Sequence, residues 1–368
     1  MIDSVARPDL GGVSRALRDN PTFLAGRLGA AYADDELADR LRLDPKTLHR
    51  LLVCRAPRPD RFTADVTAVA QFMGIPAQAL AGVVREADTL QVFVDGPAED
   101  PSAQTSTGML AAARDTAAEA MPIVVGNARI RELADGTWDM APEEARRNRD
   151  VEAALLWAAP VIVVSLAPLS LDAANRWLTE RGLPHHLAGG NGPLRGLLLA
   201  WRGRGIVFVD ESLEAAERRF TVAHEHGHFL LDYLEPRRRI AEEAPDLLDV
   251  VDRRRPSTAA DRARAALIRL PLDVYTHLLD RDAEGGVASG VAAAEDDASI
   301  YAQELLAPWS RTLELARDVI STGLAYEETV ATAAGAIADE FTVPAEPARA
   351  RATAALDHLG RRRGFFEG

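Results

Sequence analysis

The sequence predicts an α+β protein with an all-helical N-terminal domain, and three observations lead to this prediction. Apolar residues recur at helical spacing through residues 12–88. Two apolar segments, 194–201 and 205–210, flank a turn rich in glycine and arginine and are typical of paired strands. Residues 220–233 then have the pattern of a buried helix. We therefore expect a short antiparallel sheet that leads into this helix, followed by C-terminal helices.

Composition limits the class of protein. The 368 residues carry a net charge of −14, which argues against indiscriminate binding of the whole chain to nucleic acid or membranes. The single cysteine, Cys54, excludes an internal disulfide framework and a cysteine-based zinc site. The first residues do not have the pattern of a secretory signal, and the longest apolar run, residues 153–166, is too short to span a bilayer. We expect a cytoplasmic protein that does not bind membranes.

Shifts in composition divide the chain into four segments. We predict a helical domain over residues 1–90, a linker and helical connection over 91–150, a domain over 151–310, and a helical extension over 311–368. The third segment contains an insertion at about 234–294. Residues 95–108 have linker composition, and helical material is expected over 109–121.

The N-terminal domain has the pattern of a helix-turn-helix unit. An amphipathic helix over 33–43 is followed by Asp44, a predicted N-cap, and by Pro45 at the first position of a second short helix. A third helix ends at Gly74 and a fourth opens at Pro76. Two short helices joined by a tight turn inside a helical cluster are typical of DNA-binding domains.

A local excess of basic residues accompanies this unit. Between residues 40 and 61 there are seven basic and two acidic side chains. In the predicted recognition helix, 45–53, the exposed face would consist of Lys46, Thr47, His49 and Arg50. This charge pattern predicts phosphate contacts with operator DNA through residues 40–61. The alternative is a protein-interaction module with a solvated basic face.

The segment before the buried helix is predicted to alternate between helix and strand. A helix ends near Pro160, a buried strand covers 161–166, and a helix over 171–181 closes at Gly182. Ser212 is the expected N-cap of the buried helix. The strand at 205–210 is predicted to lie at a sheet edge, where it could pair with an extended peptide.

The buried helix contains His224-Glu-His-Gly-His228, an H-E-x-x-H motif. Because a helix advances about 100° per residue, His224 and His228 share one face and can hold one zinc ion. Glu225 projects from the neighbouring edge, where a carboxylate can act as general base. His226 lies about 200° from His224 and is not expected to be a ligand.

A catalytic zinc site needs a third protein ligand. The best candidates lie in the acidic first turn of a predicted helix, Glu295-Asp-Asp297, which continues to Pro308. An acidic first turn also complements the helix dipole, so this pattern alone leaves the ligand open.

Two stretches resemble the ImmA/IrrE family of zinc metallopeptidases. They are Arg218-Arg-Phe-Thr-Val-Ala-His-Glu-His-Gly-His-Phe-Leu-Leu231 and Glu295 with Tyr301-Ala-Gln-Glu-Leu-Leu-Ala-Pro308. The resemblance implies a zincin-like domain over 151–310 with Glu295 as the third ligand and Asp297 as the runner-up. Ser299, four residues after Glu295, also suits a zincin of this glutamate type. The N-terminal segment resembles the helix-turn-helix of phage-repressor (XRE-like) regulators.

The resemblance also implies a function. It predicts a zinc-dependent metalloendopeptidase that regulates transcription in a stress response by cleaving a partner protein, a transcriptional repressor. The alternatives are a DNA-binding regulator whose zinc domain is a sensor, or a toxin–antitoxin or phage-defence component. Two features depart from the family: the insertion, whose Tyr275 and His277 could stabilise an oxyanion, and Asp232, which stands where many relatives have histidine.

Overall fold

The structure, a computed structural model, describes residues 9–94, 109–114, 128–187, 192–252, 254–267 and 289–362. The chain divides into two units, Met1–Asp95 and Gly96–Gly368. In the described ranges we find no helix with the length and apolar character needed to cross a membrane. Tyr275 and His277, the oxyanion candidates, lie outside the described residues.

The described part of the N-terminal unit is helical. A short 3-10 turn, Pro59–Arg61, precedes the fifth helix. The α-helices are α1 (Leu10–Ala16), α2 (Leu24–Leu28), α3 (Asp34–Leu41), α4 (Pro45–Leu52), α5 (Phe62–Met73) and α6 (Ala77–Val94).

The turn between α3 and α4 follows from its residues. Arg42 ends α3 in the left-handed conformation, with φ of 54°, and the amide of Leu43 donates to the carbonyl of Ala38 at 2.9 Å. The Asp44 side chain then accepts hydrogen bonds from the amides of Lys46 and Thr47. These bonds satisfy the first free amides of α4, so the predicted N-cap is confirmed.

The second unit combines one sheet with many helices. Its strands are β1 (Met109–Arg114), β2 (Val161–Leu166), β3 (Leu194–Trp201) and β4 (Arg204–Asp210). Before α11 come α7 (Ala128–Met140), α8 (Glu143–Asn148), α9 (Val151–Ala158) and α10 (Leu171–Glu180). From there the helices are α11 (Ala215–His228), α12 (Glu235–Glu243), α13 (Leu248–Val251), α14 (Ala259–Leu267), α15 (Ser289–Leu306), α16 (Trp309–Ile320), α17 (Tyr326–Phe341) and α18 (Ala345–His358).

The sheet corrects two predictions. Its order is β1-β3-β4-β2, and β2 pairs with β4 in parallel, so the sheet is mixed and not antiparallel throughout. The strand at 205–210, β4, lies between β3 and β2 and is therefore not an edge strand. The chain passes from β2 through α10 and β3 before it reaches β4. This long connection allows β2 and β4 to run parallel to each other as neighbours.

The segment after the linker is also corrected. Residues 109–114, expected to be helical, form strand β1, which pairs antiparallel with β3 from Met109 opposite Ala200 to Arg114 opposite Leu194. Its three alanines favour a helix locally, but the exposed hydrogen-bonding groups of β3 offer the backbone a partner. Residues 115–121 lie outside the described residues.

The start of α11 differs from the prediction as well. Glu214, not Ser212, occupies the N-cap position and makes no side-chain cap. The Ser212 hydroxyl and amide instead donate to the carboxylate of Asp210, at the end of β4. Ser212 therefore shapes the turn between the strand and the helix.

The main core lies around α11. Buried residues from α7 and α9, the central strands, α11 and α15 share one hydrophobic cluster, which α17 and α18 extend with Phe341, Ala348 and Ala352. The C-terminal helices are thus part of the core that supports α11 and α15.

A buried ion pair fixes the end of α15 to α18. The Arg351 guanidinium lies 2.8 Å from Glu304 and also donates twice to the carbonyl of Ala307, at 2.9 and 3.2 Å. The side chains of Arg351 and Glu304 are 2% and 1% exposed, so neither charge can be compensated by water if its partner is removed.

We expect Arg351→Met to destabilise the second unit by about 3–5 kcal/mol, because it leaves the buried carboxylate of Glu304 with only the longer ion pair to Arg131, at 3.6 Å. All five tryptophans lie in this unit, so urea unfolding followed by tryptophan fluorescence reports on it directly. The control Arg349→Met, on the exposed face of α18, should change stability by about 0.5 kcal/mol or less. Equal effects of the two substitutions would contradict the role of the pair.

Candidate metal centre

Helix α11 places the H-E-x-x-H residues in the core. Residues 221–228 are all buried, between the sheet on one side and α15 on the other. A π-helical turn, Phe229–Leu234, follows directly and carries Asp232 one turn after His228. The motif is thus held by packing on two faces.

Three side chains converge on one point. The Nε2 atoms of His224 and His228 are 3.1 Å apart, and they lie 3.2 and 3.5 Å from Oε2 of Glu295. The two histidines come from α11 and Glu295 comes from α15. Together they form a group that could hold a metal ion. Three lone-pair donors directed at one point repel each other unless a proton or a cation lies between them.

The outer nitrogens of both imidazoles have partners. Nδ1 of His228 lies 2.7 Å from Oδ2 of Asp232, and Nδ1 of His224 lies 3.4 Å from the hydroxyl of Ser299. A carboxylate at Nδ1 keeps the proton there and leaves the Nε2 lone pair for a metal. Asp232 therefore orients His228, while Ser299 makes a longer contact with His224.

The ionisation of the cluster reflects these contacts. Burial opposes the charged form of His228, but hydrogen bonds to Asp232 and Glu295 raise its pKa to about 10. Burial lowers the pKa of His224. Burial would raise the pKa of Glu295, but the hydrogen bonds to both histidines hold it well below its usual range. These contacts thus favour the charged forms of His228 and Glu295.

A close approach of α11 and α15 brings the ligands together. A Cβ atom on Gly227 would lie only 3.0 Å from the Cα of Ala298 and 3.1 Å from Cδ1 of Tyr301. Beside this contact, Nδ1 of His226 lies 2.8 Å from the Tyr301 hydroxyl, which in turn lies 2.9 Å from Oγ1 of Thr137 on α7. His226 is fully buried, and burial lowers its pKa to about 3. It therefore connects helices and lies outside the ligand group.

Glu225 faces the sheet. It is fully buried, and a Cβ on Gly196 of β3 would lie 2.7 Å from its Oε1 and 2.5 Å from Cγ2 of Thr221. Since ordinary side chains do not tolerate such distances, glycine at 196 creates the space that Glu225 occupies. The predicted general base thus lies directly under β3.

Of the two predicted third ligands, the structure brings Glu295 to the histidines. Asp297 is exposed and lies outside the group of converging ligand atoms. Two residues further along a helix, a side chain points about 200° away, so both carboxylates cannot face α11.

The predicted DNA-contacting residues of α4 fall into two groups. Lys46 and Arg50 are exposed. Thr47 and His49 are half-buried and engaged elsewhere: the Thr47 hydroxyl donates to Asp44 at 2.5 Å, and Nδ1 of His49 lies 3.0 Å from the Ser14 hydroxyl. Helix capping and packing on α1 thus engage two of the four predicted contact residues, and contact of all four with DNA stays a prediction.

Sequence analysis did not single out Gly196, Gly227 or Tyr301. Gly227 could have been noticed as a glycine inside a buried helix, where it costs stability unless a close approach requires it. The role of Gly196 depends on the stacking of β3 on α11, and that of Tyr301 on the packing of α15 against α7 and α11. Neither is visible in local sequence.

The fold and the donor set together define a candidate metal centre on a buried H-E-x-x-H helix. Residues 188–263 match the model of a peptidase family described as the IrrE N-terminal-like domain. This match supports the ImmA/IrrE family of metallopeptidases and a metallopeptidase-like function for the segment. It includes both histidines and ends before Glu295, so the third ligand rests on geometry. Neither the curated proteins nor the solved structures gave a match.

We expect Gly196→Ala to destabilise the second unit by about 1–3 kcal/mol, because the added methyl group overpacks the space of Glu225 and Thr221. Urea unfolding followed by tryptophan fluorescence measures the change. Gly192→Ala, just before β3, is the matched control, since nothing lies within 4 Å of its added Cβ. A Gly196→Ala protein as stable as the control would contradict the close packing of Glu225 under β3.

Proposed function

We propose that the protein is a zinc-dependent metalloendopeptidase that regulates transcription by cleaving a partner protein, a transcriptional repressor. The observation that carries the proposal is the spacing of the three donor atoms. Nitrogen and oxygen ligands about 2.0–2.1 Å from a tetrahedral zinc lie about 3.3 Å from each other. The donor atoms of His224, His228 and Glu295 are 3.1 to 3.5 Å apart. The residues present therefore fit a zinc ion.

The donor chemistry fits as well. Two imidazoles and one carboxylate, with the remaining position left for water or substrate, form a donor set typical of catalytic zinc. Zinc bound by His224, His228 and Glu295 would supply Lewis-acid chemistry, which activates water and polarises a carbonyl. Asp232 would hold the proton of His228 on Nδ1, which leaves the lone pair of Nε2 for the metal.

The chain itself supplies proton transfer. The carboxylate of Glu225 would take a proton from the attacking water and deliver it to the nitrogen of the leaving amine. A pure metal sensor has no need of a carboxylate at this position, which favours the peptidase over the sensor alternative.

We expect purified protein to contain about one zinc per chain, measured by elemental analysis. Glu295→Ala should lose the metal, whereas Asp297→Ala, with its carboxylate outside the cluster, should retain it. Glu225→Gln should retain zinc but reduce proteolysis by at least about a hundredfold, because it removes the general base. Proteolysis is measured as new N termini formed in a cellular protein extract.

Each result has a counterpart that would overturn the proposal. Wild-type protein that binds no zinc after remetallation would refute the metal centre. Zinc binding with the same new N termini in the wild-type and Glu225→Gln samples would refute the peptidase and favour a sensor.

For the N-terminal unit we propose DNA binding through residues 40–61. Five exposed basic residues there take no part in an ion pair with any residue that the structure describes: Arg42, Lys46, Arg50, Arg55 and Arg61. Arg40 and Arg58, by contrast, pair with Glu86 and Asp65. A cluster of basic side chains outside ion pairs, in a chain with a net charge of −14, is typical of a surface that contacts the phosphates of DNA.

We expect Lys46→Ala/Arg50→Ala to weaken binding to a mixed-sequence DNA duplex and to lower the salt dependence of log K by about 2, one for each lost phosphate contact. Fluorescence anisotropy over a salt series measures both effects. Arg311→Ala/Arg349→Ala removes the same charge from the C-terminal helices and is the control. If both double variants bind DNA equally well, the basic cluster is not the DNA contact.

A further inference from the structure

The edge of the sheet beside the metal centre is covered by a strand from a distant part of the chain. Strands β2, β3 and β4 lie within residues 161–210, together with the connections that join them. Strand β1 comes from residues 109–114 and occupies the outer edge of β3. It follows the predicted linker, 95–108, that connects the two units.

Strand β1 passes close to the predicted general base. Ala113 of β1 pairs with Gly196, the residue of β3 under which Glu225 is buried. Helix α11 lies against β1 as well as against β3 and β4. The register shifts between Ala113 and Arg114, so the pairing becomes irregular beside this point. Such irregularities in strand pairing are common next to active sites.

The burial of Glu225 has a consequence for substrate binding. With β1 in place, the carboxylate is 0% exposed. A general base must come within hydrogen-bonding distance of the water and the peptide on which it acts. Part of what covers Glu225 must therefore move before a substrate can reach it, and β1 is the outermost strand beside it.

The composition of β1 makes it a weak strand. Its sequence, Met-Leu-Ala-Ala-Ala-Arg, has three alanines, a residue depleted in strands, and no β-branched side chain. An extended peptide with better strand-forming residues can make the same main-chain hydrogen bonds to β3 and compete for the edge.

We infer that the outer edge of β3 is a binding site for an extended peptide and that β1 is its exchangeable, intramolecular occupant. The incoming peptide adds antiparallel to β3, in place of β1, and its backbone then passes beside Gly196 and Glu225. That this peptide is a substrate rests on the proposed function, whereas the exchange itself requires no catalysis.

A reversible cross-link tests the exchange. Met109 and Ala200 are paired across β1 and β3, and directly paired residues in an antiparallel ladder are close enough for a disulfide. Cys54→Ser removes the only native thiol, and Met109→Cys/Ala200→Cys then locks β1 on oxidation. The probe is a fluorescein-labelled peptide that copies residues 107–116, and its binding is measured by anisotropy.

We expect the reduced double-cysteine protein to bind the probe, the oxidised protein to bind at least about tenfold more weakly, and reduction to restore binding. Met109→Cys alone on the Cys54→Ser background, treated with the same oxidant, should show no change. Equal binding in the oxidised and reduced states, or no binding when reduced, would overturn the inference.

A second variant tests the same point without a cross-link. Ala111→Pro removes one main-chain donor from β1, so it should release the edge and strengthen probe binding by about tenfold while the thermal melt stays cooperative. Failure to fold, or unchanged binding, would show that β1 is an integral strand. Zinc content and the new N termini decide the proposed function separately, because probe binding depends on neither.

Discussion

The close approach of α11 and α15 at Gly227 is the contact on which the candidate site depends. The ligands lie on two helices far apart in sequence, and their donor atoms meet because no side chain separates the helix backbones at this point. The hydrogen bond between His226 and Tyr301 lies in the same interface. A buried polar pair of this kind stabilises one helix register, because any other would leave both groups without a partner.

Helix α15 is held at its other end by equally specific contacts. The carbonyls of Leu305 and Leu306 accept hydrogen bonds from Arg149, and that of Ala307 accepts two from Arg351. These arginines satisfy the acceptors that the last turn of a helix leaves free. Glu295 is thus presented by a helix whose position is set at the interface with α11 and at its C-terminal end. The position of a metal ligand depends on contacts of this kind, made by residues that do not themselves bind the metal.

Predictions from sequence succeeded where the chemistry is local and failed where it depends on packing. His224 and His228 lie one turn apart on one helix, so their convergence follows from helix geometry alone. The acidic turn that includes Glu295 left the third ligand open until a family resemblance selected it. Local sequence could not select it, because its distance to the histidines depends on how two helices pack. Strand β1 was missed since its alanines favour a helix, and its conformation depends on pairing with β3.

The N-terminal helices show the same limit on a smaller scale. The cap at Asp44 was predictable because it involves neighbours in sequence, whereas the half-buried position of His49 depends on its contact with Ser14 of α1. Helical spacing identifies the side chains that share a face, and tertiary contacts decide which of them remain exposed.

The proposed exchange of β1 separates metal loading from substrate access. The Glu295 side chain is 36% exposed, so the ligand cluster is open to solvent on the α15 side. Glu225 is fully buried under β3, beside the pairing with β1. A metal could therefore enter without any change in the sheet, whereas in the proposed exchange a peptide displaces β1 from the sheet edge. With different elements in control of the two steps, the proposed exchange would make the activity of a metallated protein depend on which segment occupies the β3 edge.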